Sequence, residues 1–253
     1  MMLTIRGERE RGVAVQSNLR QGCRPESNRI LRGLCPADLA RIQPHLSLVE
    51  LTTGQALYES AGPQRHAYFP VDAIIGMVYV MEDGHTGEFA IVGNDGLLGV
   101  SIFTGCDTMP STAIVQNAGR AWRLRSDVLR REANQSERFR GLLLRYTQAL
   151  MLQMCQTAAC NRHHKLDQQL CRWILFCLDR LPGPDVLITQ ELIANMLGVR
   201  REGVTEAVGK LVRADLIRCK RGRIIVVDRA GLEAACCECY RTVKRETERL
   251  LPG

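Results

Sequence analysis

The side chains best suited to binding chemistry are concentrated in one stretch of the chain. Between residues 200 and 223 eight Lys or Arg stand against three acids, Glu202, Glu206 and Asp215, a local excess of five positive charges in 24 residues. The whole 253-residue chain carries a formal charge of +7 and a pI near 9.0. A polyanion is the expected partner, although an anionic membrane surface would suit the charge alone, and this stretch is where a polyanion would dock. The side chains singled out for nucleic-acid contact are Thr189, Gln190, Arg200, Arg201, Glu202, Thr205, Glu206, Lys210, Lys220, Arg221 and Arg223. Arginines that open a helix, followed by a basic hairpin, suit phosphate and base contacts; the alternative is a winged helix used only for protein contacts.

Cysteine offers a second chemistry. Eleven cysteines are scattered along the chain, an odd number that, in a protein expected in the cytoplasm, argues for reduced thiols serving mostly as small buried apolar residues. Cys236-Cys237-Glu238-Cys239 contains a Cys-x-x-Cys spacing, which suits half of a zinc site or a redox pair, but no second ligand pair stands at a recognisable spacing. His163-His164 with Cys155 and Cys160 is a weaker cluster, because adjacent helical residues point about 100° apart and rarely share one metal. Solvent-facing or capping histidines are expected there, so no metal ligand and no cofactor is assigned. Walker, nucleophile-elbow and zinc-hydrolase motifs are missing, so a non-enzyme is expected.

The elements that position the basic stretch can be read locally. Thr189 is a good N-cap for a helix over 190–197, since its hydroxyl can accept an unpaired N–H of the first turn. Gly198 breaks that helix, and a second one over about 200–214 turns Val204, Val208 and Leu211 inward and Arg200, Arg201, Glu202, Thr205 and Glu206 outward. Helix, glycine turn and basic helix make a helix-turn-helix. Residues 216–220 and 223–227 are short β runs joined through Arg221-Gly222, a wing.

Upstream, 51–124 breaks into short β-branched and aromatic runs at 67–69, 74–81, 88–92, 112–116 and 120–124, punctuated by turn residues, which points to an all-β sandwich or roll. Over 127–160 the period changes: Phe139, Leu143, Tyr146, Leu150, Met154 and Thr157 recur every three or four residues, predicting one long amphipathic helix. Its stripe packs either on the β domain or against the same helix of a second chain. Another helix is expected over about 165–180, ended by Pro182-Gly183-Pro184. The division is therefore a disordered or weakly ordered basic tail (1–25), a β domain (26–126), the long helix (127–160), a winged helix-turn-helix (161–235) and a helical C-terminal tail (236–253). No stretch reaches the roughly 20 apolar residues of a membrane-spanning helix.

The run Thr189-Gln190-Glu191-Leu192-Ile193-Ala194-Asn195-Met196-Leu197-Gly198-Val199-Arg200-Arg201-Glu202-Gly203-Val204-Thr205 resembles the helix-turn-helix signature of the Crp/Fnr family of transcription regulators. Asp215-Leu216-Ile217 leading into the wing shares the resemblance. Tyr68-Phe69-Pro70 with Ile74-Ile75, and Val92-Gly93-Asn94-Asp95-Gly96-Leu97-Leu98-Gly99, look like the family's β-roll sensor domain. The resemblance covers about residues 30–235. It implies an α+β protein: an N-terminal jelly-roll-like β-roll, a long dimerisation helix and a C-terminal winged helix-turn-helix. It also implies a homodimer on double-stranded DNA, with RNA polymerase as a further partner, and assigns the 139–157 stripe to the dimer interface.

In that family an Arg-Glu pair opening the recognition helix reads bases, and it falls here on Arg201 and Glu202. Arg can bridge guanine O6 and N7, and Glu can accept from cytosine N4. A further family arginine is Glu206 in this chain, which implies a different half-site. Members that bind cyclic AMP use a Gly-Glu pair and an Arg-Ser/Thr-Ala stretch, where this chain has Gly99-Val100 and Ser111-Thr112-Ala113. A cyclic phosphate buried without its arginine would be an unpaired charge, so cyclic AMP is not the expected effector. Gly96, Leu98, Gly99, Val100, Ser111, Thr112 and Ala113 are expected to line the effector pocket, with the effector itself unidentified. Cys23 and Cys35 are twelve residues apart with no third cysteine near them, so the family's iron–sulfur pattern is missing. The competing classes are a cysteine-based redox or metal sensor and a signalling adaptor that does not bind DNA.

Overall fold

The β-branched runs fold as antiparallel strands because alternate side chains can be buried between two facing sheets. The computed structural model describes residues 23–251; of the tail expected over 1–25, residues 1–22 lie outside the described residues. Two short helices, α1 (Arg29–Arg32) and α2 (Pro36–Ile42), lead into β1 (Ser47–Leu51), β2 (Ala56–Tyr58), β3 (His66–Pro70), β4 (Ile74–Val80) and β5 (Thr86–Val92). After α3 (Val100–Thr104) come β6 (Thr112–Asn117) and β7 (Gly119–Arg125). One sheet has the order β1-β7-β3 and the other β2-β6-β4-β5. The chain crosses between them at Ala118. Gly119 is needed at that corner, because a Cβ would stand 2.5 Å from the Asp72 carbonyl oxygen.

Where one helix over 127–160 was expected, there are two, α4 (Ser126–Gln135) and α5 (Glu137–His163). Ser136 is extended at φ −116° and ψ 112°, and its Oγ accepts from the Phe139 amide, which caps α5 afresh. The same hydroxyl lies 2.9 Å from Asp38 Oδ2, so contact with α2 supports the break. The stripe assigned to a dimer interface is also corrected. Phe139, Leu143, Tyr146, Leu150 and Thr157 are buried and Met154 is half-buried, all within their own chain. Tyr146 donates to the Leu97 carbonyl at 2.9 Å, and its ring sits so close to Gly96 that a Cβ there would be 2.4 Å from the hydroxyl. The outer face of α5 instead exposes Leu144 and Met151.

Beyond the β domain, α6 (Leu166–Leu178) precedes β8 (Asp185–Leu187), α7 (Gln190–Leu197), α8 (Arg201–Arg213), β9 (Ile217–Cys219), β10 (Arg223–Val226), α9 (Arg229–Ala235) and α10 (Glu238–Leu250). The wing is a three-stranded sheet, β8-β10-β9. Leu170, Ile174 and Cys177 of α6 pack with Ile193, Val204, Val208 and Leu211 in one core, each large aliphatic side chain contributing about 1.5–3 kcal/mol by leaving water. Helix α10 returns along α5, and Arg145 Nε donates to the Leu250 carbonyl at 3.1 Å. The two lobes touch through buried Ile74 and Ile91, which share the core of the C-terminal lobe, and through polar groups: Thr86 Oγ1 donates to Asn195 O at 2.7 Å, Trp173 Nε1 to Glu88 Oε1 at 3.1 Å, and Arg180 pairs with Asp95 at 2.7 Å. No described helix is long and apolar enough to cross a membrane.

Candidate nucleic-acid interface and sensor cavity

Thr189 caps α7 by accepting from the Leu192 amide at 3.2 Å. Gly198 closes that helix in the left-handed region at φ 64°, which glycine adopts without the Cβ penalty. Arg200 then stands at the N-cap of α8, with no side-chain cap. Val204, Ala207, Val208 and Leu211 are buried, whereas Arg200, Arg201, Glu202, Thr205, Glu206 and Lys210 are exposed along one face. Gln190 Oε1 lies 2.9 Å from Thr205 Oγ1 and ties the two helices together. Arg201 is 66% exposed and, among the described residues, its guanidinium pairs only with Glu191, loosely, at 3.7 Å, while Glu206 pairs with Lys210 at 3.1 Å. Arg201 is thus not locked to Glu202 or Glu206.

The wing turn is a two-residue hairpin. Lys220 and Arg223 exchange backbone bonds of 2.9 and 3.1 Å, and Arg221 and Gly222 both have positive φ, 48° and 73°. That is the geometry whose twist matches a β ribbon. It projects Lys220 and Arg221 into solvent, whereas Arg223 pairs with Asp185 of β8. Local sequence gives little sign of that partner, because β8 sits just after a proline-rich break and is only three residues long.

In the β domain a cavity of about 170 Å³ opens beside α5. Of the residues assigned to an effector pocket, Leu98, Gly99, Val100, Ser111 and Ala113 line this cavity; Gly96 and Thr112 do not, Gly96 being spent on the Tyr146 contact. Tyr58, Gln64, Met77, Met151 and Met154 are among its other walls, in which no Lys, Arg, His, Asp or Glu appears among the described residues. Such a site can take an apolar or uncharged molecule, but it offers a phosphate no countercharge.

A third cluster joins residues that are remote in sequence. Cys160 and His164, at the end of α5, meet Cys237 and Cys239 at the start of α10, with all four ligand atoms within 4.8 Å of one another. The structure combines two residues from each of the two clusters weighed from sequence and leaves out Cys236, Cys155 and His163, the last two exposed on α5.

Residues 168–235 match the family model of the Crp-like helix-turn-helix domain. No curated protein shows a significant sequence match to the chain. Among solved structures, FixK2 of Bradyrhizobium japonicum is similar at 14% identity and a TM-score of 0.63, over 76% of this chain and 98% of that one. A Crp-family transcriptional regulator of Thermus thermophilus is similar at 20% identity and 0.60, over 74% and 95%. The c-di-GMP-responsive global regulator CLP of Xanthomonas campestris is similar at 13% identity and 0.57, over 77% and 100%. Residues 168–235 are therefore a Crp-like helix-turn-helix domain, and with the double-sheet domain and the long helix they give the chain the architecture of the Crp/Fnr transcription regulators.

Proposed function

We propose that this chain is a homodimeric, sequence-specific DNA-binding transcription regulator that acts in the cytoplasm, its β-roll responding to an uncharged effector rather than to cyclic AMP. The observation that carries the reading is the exposed face of α8, where Arg201, held only loosely by Glu191, stands above a buried Val204-Val208-Leu211 stripe and beside a basic wing. Arg201 and Glu202 read base edges, and Lys220 and Arg221 hold phosphates. In this division of labour residues 26–126 sense, 127–160 pair the two copies and 161–235 read DNA, with RNA polymerase as the partner that receives the signal.

Dimerisation uses the outer seam of α5. Leu144, Gln148, Met151 and Cys155 are exposed at successive spacings of four, three and four, the repeat that keeps one face of a helix against another. Met151 also lines the cavity mouth, so an effector there would lie next to the second copy. The dimer sets two recognition helices on half-sites about 34 Å apart. The test is to map bound sites in the genome and titrate the commonest one: the expected outcome is a dimer on a pseudo-palindrome whose log affinity falls linearly with log salt. Sedimentation as a monomer with that DNA, or equal affinity for scrambled duplexes, would overturn the reading. Calorimetry with cyclic AMP is expected to show no micromolar binding.

A further inference from the structure

We propose that Cys160, His164, Cys237 and Cys239 form a tetrahedral zinc site that clamps the C-terminal helix to the joint between α5 and α6. Three sulfurs and one imidazole nitrogen are a ligand set that selects zinc, and four protein ligands make a closed, structural site. Two of the six ligand–ligand distances already match the ion. Bond lengths of about 2.3 Å to sulfur and about 2.05 Å to nitrogen give tetrahedron edges of about 3.8 Å between sulfurs and about 3.5 Å from sulfur to nitrogen. Cys160 Sγ lies 3.6 Å from Cys237 Sγ, and Cys239 Sγ lies 3.5 Å from His164 Nδ1. All four ligand atoms lie within 4.8 Å of one another, so the wider pairs would close by about 1 Å around a single ion.

The surroundings fit a metallated site as well. The three cysteines are 0%, 4% and 0% exposed in chain order, so little water competes for the ion. With Nδ1 facing the sulfurs, the other ring nitrogen of His164 lies 3.4 Å from Glu238 Oε2, the carboxylate–histidine arrangement that orients a ligating imidazole. Gln156 Nε2 donates to Cys239 Sγ at 3.1 Å, as suits a thiolate. Three thiolates on zinc leave one net negative charge. The buried Arg172 donates to Thr157, one turn before Cys160 on α5, and its Nε has no hydrogen-bond partner among the described residues. Cys160 is placed by the last turn of α5, Cys237 is the N-cap of α10, and Cys239 lies in its first turn. Since His164 lies in the link before Leu166, the ion would fix the angle at which the DNA-binding module leaves the long helix.

The proposal is tested on the whole chain, free of DNA, so that its failure is separate from that of the regulatory reading. Protein purified under reducing conditions is expected to carry one zinc per chain, and cobalt substitution should give the thiolate charge-transfer and tetrahedral d–d bands of a site with three sulfur ligands and one nitrogen. Cys239→Ser and His164→Ala should abolish or alter those bands, whereas Cys155→Ser, Cys106→Ser and Cys236→Ser leave them unchanged. Glu238→Gln should keep the spectrum but weaken zinc binding about 10–100-fold in competition with a chelator. The wild-type cobalt spectrum decides the matter even where a ligand variant fails to fold. A six-coordinate spectrum, no uptake by the reduced chain, an unchanged spectrum in folded Cys239→Ser, or a Cys160–Cys237 disulfide in anaerobically isolated protein would each overturn the site.

Discussion

At the scale of single residues, the proposed DNA face contains two kinds of cation that should fail differently. Arg201 is 66% exposed with only a long contact to Glu191, so its guanidinium can reach a base edge without first breaking a strong pair. Arg201→Ala should cost about 1–3 kcal/mol on the cognate site and much less on random DNA, relaxing preference at one base position. Arg221 stands at the wing tip, outside any ion pair among the described residues. Arg221→Ala should weaken cognate and scrambled duplexes alike and lower the slope of log affinity against log salt by about one. Titrations of both variants on both duplexes at several salt concentrations read the two effects. An unchanged specificity ratio for Arg201→Ala would remove it from base reading and leave a surface contact worth a few tenths of a kcal/mol.

At the scale of elements, the two faces of α5 separate stability from assembly. Leu143 is fully buried against the β domain, so Leu143→Ala should cost about 2–5 kcal/mol of folding free energy. Leu144 and Met151 are 54% and 50% exposed on the other face. Charging both, as Leu144→Glu with Met151→Glu, should leave the unfolding midpoint of the monomer nearly unchanged while it shifts sedimentation toward monomer and weakens operator binding in parallel. If the double variant still sediments as a dimer, the seam lies elsewhere.

At the scale of the whole molecule, the β domain and the helix-turn-helix meet at Glu88, whose carboxylate accepts from Trp173 of α6 and contacts Gln116 of β6. Burial at this junction pushes the Glu88 carboxyl up to about 8 from an ordinary 4.5. A protonated Glu88 needs an acceptor, and the buried Gln116 Oε1, which has no partner among the described residues, supplies one when the amide is turned over. Between pH 4.5 and about 8 the folded chain therefore holds a proton that the unfolded chain has released. This contribution to stability is full below that window, declines as pH rises through it, and is gone above it. Denaturant midpoints measured from pH 5 to 9 should fall across this range in the wild type, and Glu88→Gln should flatten the trend. An identical slope in the variant would assign the pH dependence to other groups.

Local sequence determined much of this protein. Thr189, Gly198 and the Val204-Val208-Leu211 spacing specify a capped helix, a left-handed turn and an amphipathic helix, because capping and glycine chemistry act within a few residues. Arg221-Gly222 specifies the wing turn in the same way. Tertiary structure alone decided what covers each apolar face. The periodicity of 139–157 announces a stripe on α5, but only the β domain packed on it shows that the stripe is internal and that Leu144 and Met151 are left outside. Ser136 breaks the helix through contact with Asp38, 98 residues away, and β8 exists because β10 pairs with it. Gly96 is kept out of the β-domain cavity by a tyrosine 50 positions on. Cys160 and His164 meet Cys237 and Cys239 only because α10 folds back along α5; ligand geometry is a matter of angstroms in space, and a spacing of 73 residues between His164 and Cys237 carries no trace of it.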